Sequence, residues 1–415
     1  MKRDKKEKNP NQLASIKVVG IGGAGGNMVS RMSRDFVRGV DFVAINTDHQ
    51  DLDQCEARHK IYIGKGLTRG LGTGMSPDIG RQAAEENRSE LTEALRGGDL
   101  IFLAAGLGGG TGTGATPVVA EVAKQTGALT LAFVTRPFAF EGSQRDKVAQ
   151  EGIQKLKDKV DALVIVPNDR VFTIISKDTT ILKAFEVIDD VLKHALRGIV
   201  ELIVTPGIIN VDFADVRSII QDAGTAIVGM GIAGGQDRAV SAVNQALNSP
   251  LLEVSAEGAK GVILGISGGR DLKMTEVNEA AKIVAQTADP GAKIIFGAYH
   301  DRRLKPNQLK VTLIATGFTG TQPAGSLFGG GISSIDSKKK DFFGDFKMSP
   351  FSTGEDVKKP FKEEDLLKEI PAKIGNLEKN GNGSLKQGRK EEESKKEDRD
   401  TEIWDIPTFL RKRKK

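Results

Sequence analysis

At 415 residues with 39% hydrophobic content, the chain is long enough for two packed domains and a tail, while one cysteine, Cys55, excludes a disulfide framework and any paired-thiol metal or redox site. Four histidines argue against an imidazole metalloenzyme, and the basic opening MKRDKKEKNP precedes no apolar run of signal-peptide or membrane-spanning length, so a soluble cytoplasmic protein is expected. The net charge of +5 sits at the ends: residues 1–10 and 401–415 each carry five basic and two acidic side chains, residues 331–400 hold 16 of each sign, and the remaining core is close to neutral, so nucleic acid is not expected as a ligand.

A basic, disordered segment is expected over residues 1–14. From 15 to 180, short apolar runs alternate with glycine-rich turns and helical patterns, the order of βαβ units around a parallel sheet. The expected strands are IKVVGI (16–21), DFVAIN (41–46), DLIFLAAG (99–106), LTLAFVT (129–135) and ALVIVP (162–167). Their apolar runs are continuous rather than alternating, as strands covered on both faces should be. The pattern ILKAFEVIDDVLKHALRGIVELIV (181–204), stopped at Pro206, predicts one long helix bridging two domains.

Residues 207–319 read as a smaller α+β domain. Strand-like runs at 259–268, 293–300 and 309–318 alternate there with helical stretches around 215–222, 236–247 and 275–288. From 320 to 400 the composition shifts to Gly, Ser, Lys, Glu and Asp, predicting a disordered linker whose ends lie on the order of 50 Å apart as a flexible coil. Residues 401–415, TEIWDIPTFLRKRKK, regain apolar side chains and suggest a docking peptide.

Two glycine-rich turns carry the chemistry. GIGGAGGN (20–27) follows a strand and precedes a helical pattern; Gly20, Gly22 and Gly25 with Asp48 imitate a dinucleotide fingerprint, a weak match that suits NAD and nucleoside triphosphates alike. AAGLGGGTGTGATPVVAEVAK (104–124) is more informative. Its glycines form a concave nest of amides, and its threonines offer hydroxyls to phosphate oxygens or to magnesium. Two such loops on one sheet imply a polyphosphate ligand. No GxxxxGK[ST] occurs, which argues against a P-loop enzyme.

GIGGAGGN, FVAINTD, GGGTGTG, TRPFAFEGSQR, VPND and NVDFAD occur in an order that resembles the FtsZ family, the bacterial tubulin-like cell-division GTPases, and DIPTFLR looks like that family's partner-binding tail. The resemblance spans about residues 15–319 plus 401–415. It implies a tubulin-like α/β fold: a nucleotide domain with a parallel sheet, a long central helix, a smaller α+β second domain, a disordered linker and a docking tail. GTP or GDP is the implied ligand, with Mg2+ carried by the nucleotide and no metal site of the chain's own.

Carried over residue by residue, Gly22, Gly23 and Asn27 line the first loop, and Gly108, Gly109, Gly110, Thr111, Gly112 and Thr113 form the main cradle. Glu141 and Arg145 meet the ribose and phosphate side, and Asn168 borders the sugar. Phe185 stacks on guanine while Asp189, four residues on and so on the same helix face, accepts from its N1–H and amine. Many family members have Asn where Asp189 stands.

NVDFAD (210–215) presents Asp212 and Asp215, which taken blindly are more often a helix cap than a catalyst. In the family this loop enters the nucleotide site of the next subunit, so Asp212 and Asp215 would orient the attacking water in trans, with Asn210 supporting the loop. The implied partners are other copies of the chain, head to tail, and membrane-tethering division proteins such as FtsA. The latter would be met through Asp405, Ile406, Pro407, Phe409 and Leu410. Membrane contact is then indirect, although RKRKK (411–415) could rest on anionic lipid. The implied location is the cytoplasm, concentrated at mid-cell on the inner face of the membrane. Two rivals remain at this point: an NAD-dependent oxidoreductase, which leaves the second glycine loop unexplained, and a filament-forming adaptor without turnover.

Overall fold

A computed structural model describes residues 14–34, 39–176, 178–249 and 256–318. The first half runs β1 (Ile16–Ile21), α1 (Gly22–Arg34), β2 (Val40–Asn46), α2 (His49–Gln54), β3 (His59–Tyr62), α3 (Lys65–Thr68), α4 (Pro77–Glu86), α5 (Arg88–Leu95), β4 (Leu100–Gly106), α6 (Thr111–Gln125), β5 (Leu129–Arg136), α7 (Ser143–Lys157) and β6 (Ala162–Pro167). It continues through α8 (Ile181–Val204), α9 (Phe213–Ile220), β7 (Gly224–Gly234), α10 (Arg238–Leu247), β8 (Gly261–Gly268), α11 (Met274–Thr287), β9 (Lys293–His300) and β10 (Gln308–Thr316).

All ten strands join one sheet in the order β3-β2-β1-β4-β5-β6-β7-β10-β8-β9. The first six are parallel, and successive residues of each strand feed opposite cores: Val18 and Phe102 pack on one face, Val19 and Leu103 on the other. That two-sided burial is why these strands read as unbroken apolar runs. The sheet continues past β6 only through a two-residue parallel pairing, Ala162 with Gly224 and Leu163 with Thr225, after which β10 runs antiparallel to both β7 and β8. The glycine-rich run of β7 carried no strand signal in the sequence, nor did β3 and the short helices between residues 49 and 95.

The strand order reverses direction between β1 and β4, which lie side by side with Gly20 opposite Ala104. In open parallel sheets that switch point is where ligands bind, outside the carboxyl ends of the strands. Both glycine-rich turns leave the sheet there.

Helix α8 is 24 residues, about 36 Å long. Thr180 caps its start by accepting from the Lys183 amide, and Thr205-Pro206 ends it. Its apolar stripe, including Ile188, Leu192, Leu196 and Ile199, is buried against the sheet, so its two ends are held far apart by a packed, stiff element.

Candidate functional site

The first glycine turn is tighter than its sequence suggests: α1 begins at Gly22, so the glycines form the helix's own first turn. Gly22 has φ of +73°, and a methyl placed on it would lie 3.0 Å from the Gly112 amide nitrogen, which puts the two loops in contact. The second loop is shaped from below. A methyl on Gly110 would lie 2.0 Å from Thr73 Oγ1 and 2.8 Å from the Ser76 carbonyl oxygen, so only glycine fits. Gly109 has no neighbour within 4 Å on its Cβ side and faces open space.

Neither α1 nor α6 has an acidic residue in its first turn, and Gly110, the residue before α6, offers no side chain to cap it. Two adjacent helix N-termini thus present amides and a positive dipole end with no anion from these first turns, a site suited to phosphate groups.

The threonines act differently from the sequence expectation of hydroxyls free for phosphate. Thr111 Oγ1 lies 2.7 Å from Thr47 Oγ1 and 3.4 Å from Thr73 Oγ1, and Thr113 Oγ1 accepts from the Gly108 amide at 2.9 Å. Their hydroxyls hold the cradle's shape. Asn46, 5% exposed, supports it by accepting from the amides of Thr47 and Asp48. Asn46, Thr47 and Thr73 escaped the sequence reading, although the polar triplet Asn46–Thr47–Asp48 directly after an apolar strand was a usable signal. Asp48 caps α2, accepting from the Gln50 and Asp51 amides at 2.9 and 3.2 Å, so its place in a dinucleotide fingerprint is a coincidence of spacing.

Asn27, on the second turn of α1, borders a small recess with Gly23, Gly26, Asn46 and Asp51. Glu141 accepts from the Phe138 amide at 2.9 Å and pairs with Arg145 one helical turn away. Asn168 opens a short 3-10 turn after β6 and is 8% exposed. Its Oδ1 is buried with no hydrogen-bond partner, a costly state that a ligand donor would relieve.

Phe185 meets Phe138 edge to face at 5.5 Å, and Phe140 stacks on Phe138 at 4.8 Å. Asp189 lies 2.6 Å from Arg31 Nη1, which belongs to α1 and was not anticipated. Burial pushes the Asp189 carboxyl up to about 6, and the Arg31 guanidinium pulls it back toward the ionised form. The contacts form a closed circuit: Gly22 with Gly112, Gly108 with Pro137, Phe138 with Phe185, and Asp189 with Arg31 on the helix that Gly22 begins. Helix N-terminal amides, an aromatic ring and a carboxylate thus share one rim. Among the described residues no cluster of three or more His, Cys, Asp or Glu could hold a metal ion.

Asn210, Asp212 and Asp215 are not on this rim. They follow the far end of α8, and all three are exposed. Asp212 precedes α9 but its side chain makes no capping hydrogen bond; Asn210 Oδ1 accepts from the Gly207 amide at 2.6 Å and closes the loop. Asp405, Ile406, Pro407, Phe409 and Leu410 lie outside the described residues. No helix among the described residues is long and apolar enough to cross a membrane.

Residues 15–176 match the Tubulin/FtsZ family GTPase domain, and residues 224–319 match the FtsZ family C-terminal domain. An empty FtsZ dimer from M. jannaschii is 47% identical with a TM-score of 0.70, covering 74% of this chain and 89% of that one. A mutant FtsZ from the same organism gives 47% and 0.69, with 73% and 91% covered. CetZ2 from Haloferax volcanii, solved as a GTPγS-bound protofilament, is 23% identical with a TM-score of 0.62 over 72% and 92% of the two chains, a likeness of fold alone. With this fold, two matching family models and 47% identity over most of a solved relative, the chain belongs to the FtsZ family of tubulin-like GTPases.

Proposed function

We propose that the chain is a polymerising GTPase that binds GTP, assembles head to tail into filaments and hydrolyses the nucleotide where two subunits meet, forming a division ring on the inner face of the membrane at mid-cell. The observation that carries this reading is the separation of the two chemical groups. Asp189 lies fifteen residues before the end of α8, about 22 Å along a straight helix, and the exposed aspartates lie beyond that end. They are too remote to act on the nucleotide held by their own subunit, and both are exposed.

In this reading the α1 and α6 amides bind the phosphates, Asn168 Oδ1 accepts from a sugar hydroxyl, Phe185 covers the base, and Asp189 accepts from the guanine N1–H and amine. Adenine lacks that pair of donors, and a buried carboxylate left unpaired is costly, so guanine is preferred. Mg2+ bound to the nucleotide neutralises phosphate charge. Asp215 and Asp212 of the neighbouring subunit orient the attacking water, and Asn210 keeps their loop in shape. A contact of this heterologous kind that does not close on itself propagates as a filament, and CetZ2 was solved as a protofilament. Residues 401–415 recruit a membrane-tethering protein of the FtsA kind.

The test is the nucleotide content of pelleted filaments. Asp215→Ala filaments should hold almost entirely GTP; a pellet as rich in GDP as that of the unaltered protein contradicts the assignment.

A further inference from the structure

Between the end of α8 and Asp212 the chain runs along the outer edge of β9. The Ile208 and Ile209 amides both donate to the Ala298 carbonyl, at 2.8 and 3.1 Å, and the Ala298 amide donates back to Ile209 at 3.0 Å. The next residue on β9, Tyr299, is 4% exposed. Its hydroxyl donates at 3.0 Å to the Leu202 carbonyl, one of the four that the end of α8 leaves without a helical partner, and sits near the Val211 side chain, since a methyl on Gly297 would meet both. Val211 sits between Asn210 and Asp212. One oxygen atom is therefore bonded to the end of the central helix and lies beside the middle of the aspartate loop.

The space around that oxygen is closed. A methyl on Gly297 would lie 2.3 Å from the hydroxyl and 2.8 Å from Val211 Cγ2, and one on Gly207 would lie 2.6 Å from the Ala298 carbonyl oxygen and 2.8 Å from the Tyr299 ring. Burial pushes the phenol up to about 12, so it stays neutral, with one proton to donate and lone pairs to accept. A phenylalanine would fill the same volume with its ring, so packing alone does not call for the oxygen. The carbonyl it holds and the residue it lies beside belong to the two segments whose relative height fixes where Asp212 and Asp215 stand.

We propose that Tyr299 is a positioning residue for GTP hydrolysis: through its hydroxyl it sets the 207–212 loop on the end of α8 so that Asp212 and Asp215 meet the neighbour's nucleotide at the right depth. This rests on the reading that the loop completes the site of an adjacent subunit. Small displacements of reacting groups lower turnover steeply without touching ground-state binding.

The experiment compares the full-length protein with Tyr299→Phe, measuring phosphate release per sedimented subunit, the KM for GTP, the critical concentration and the melting temperature, with the concentration dependence of the unaltered protein in the same series. The proposal expects kcat per polymerised subunit to fall roughly tenfold while KM and critical concentration stay within about twofold. Gly297→Ala, which presses on the same oxygen, should lower kcat too, and should cost less when added to Tyr299→Phe than alone, because the oxygen it meets is gone. An unchanged kcat in Tyr299→Phe overturns the proposal. So does a loss that follows reduced assembly or a lowered melting temperature, with turnover per polymerised subunit intact. If the unaltered protein's turnover per subunit does not vary with concentration, the trans reading fails first and the proposal fails with it.

Discussion

The phosphate cradle and the aspartate loop are built in opposite ways. The cradle is pressed into shape from all sides: Gly110 over Thr73, Gly22 against Gly112, and threonine hydroxyls spent on each other and on the Gly108 amide. The loop has a tethered backbone and exposed carboxylates that its own fold does not use, Asp212 standing at a cap position without capping. A binding site must be preorganised before its ligand arrives, whereas a group that serves another subunit must stay presentable until that subunit docks. The length of α8 keeps the two apart.

The largest effect should come from the loop. Replacing both Asp212 and Asp215 by Ala is expected to lower turnover by roughly a hundredfold to a thousandfold with GTP affinity changed less than about twofold, as checked by phosphate release and by titration with a fluorescent guanine nucleotide. Equal losses in binding and turnover would place the aspartates in the cradle's half of the chemistry and erase the contrast.

Next, two glycines of one loop should part ways. Gly110→Ala forces a methyl into Thr73 and should destabilise the domain by about 1–3 kcal/mol while weakening nucleotide binding. Gly109→Ala should leave the melting temperature of the free protein unchanged, because its Cβ side is open, and should weaken GTP binding alone.

A smaller effect concerns base selection. The Asp189 carboxyl is ionised above pH about 6 and protonated below it, and only the ionised form accepts two guanine donors. The preference for GTP over inosine triphosphate, which lacks the amine, should shrink by roughly tenfold as pH falls through about 6. Arg31→Ala removes the charge that favours ionisation, so the midpoint should move to higher pH; a midpoint that does not move would detach Arg31 from the base. The smallest effect on chemistry is reserved for the tail: deleting residues 401–415 should change turnover and sedimentation by less than about twofold while ending recruitment by a tethering protein on vesicles.

The sequence disclosed whatever follows from burial and from backbone crowding. Continuous apolar runs gave β1, β6 and β9 their observed bounds, and the apolar stripe of α8 gave its 24 residues end to end. What it concealed depends on neighbours distant in the chain. The glycine-rich β7 becomes a strand because β10 pairs along its length, the cradle threonines turn inward because Thr47 and Thr73 meet them there, and Arg31 reaches Asp189 across 158 positions. Tyr299 gave no signal, since an aromatic residue in a strand-like run reads as core and its hydroxyl partner lies 97 residues away.

The central claim is that assembly completes the active site, and its most direct measurement is GTP turnover per subunit across a range of protein concentrations, with sedimented polymer quantified in the same samples. The account predicts negligible turnover below the critical concentration and a rate that rises in proportion to polymer above it. Turnover per subunit that is constant across the range, including samples with no sedimentable polymer, would contradict it.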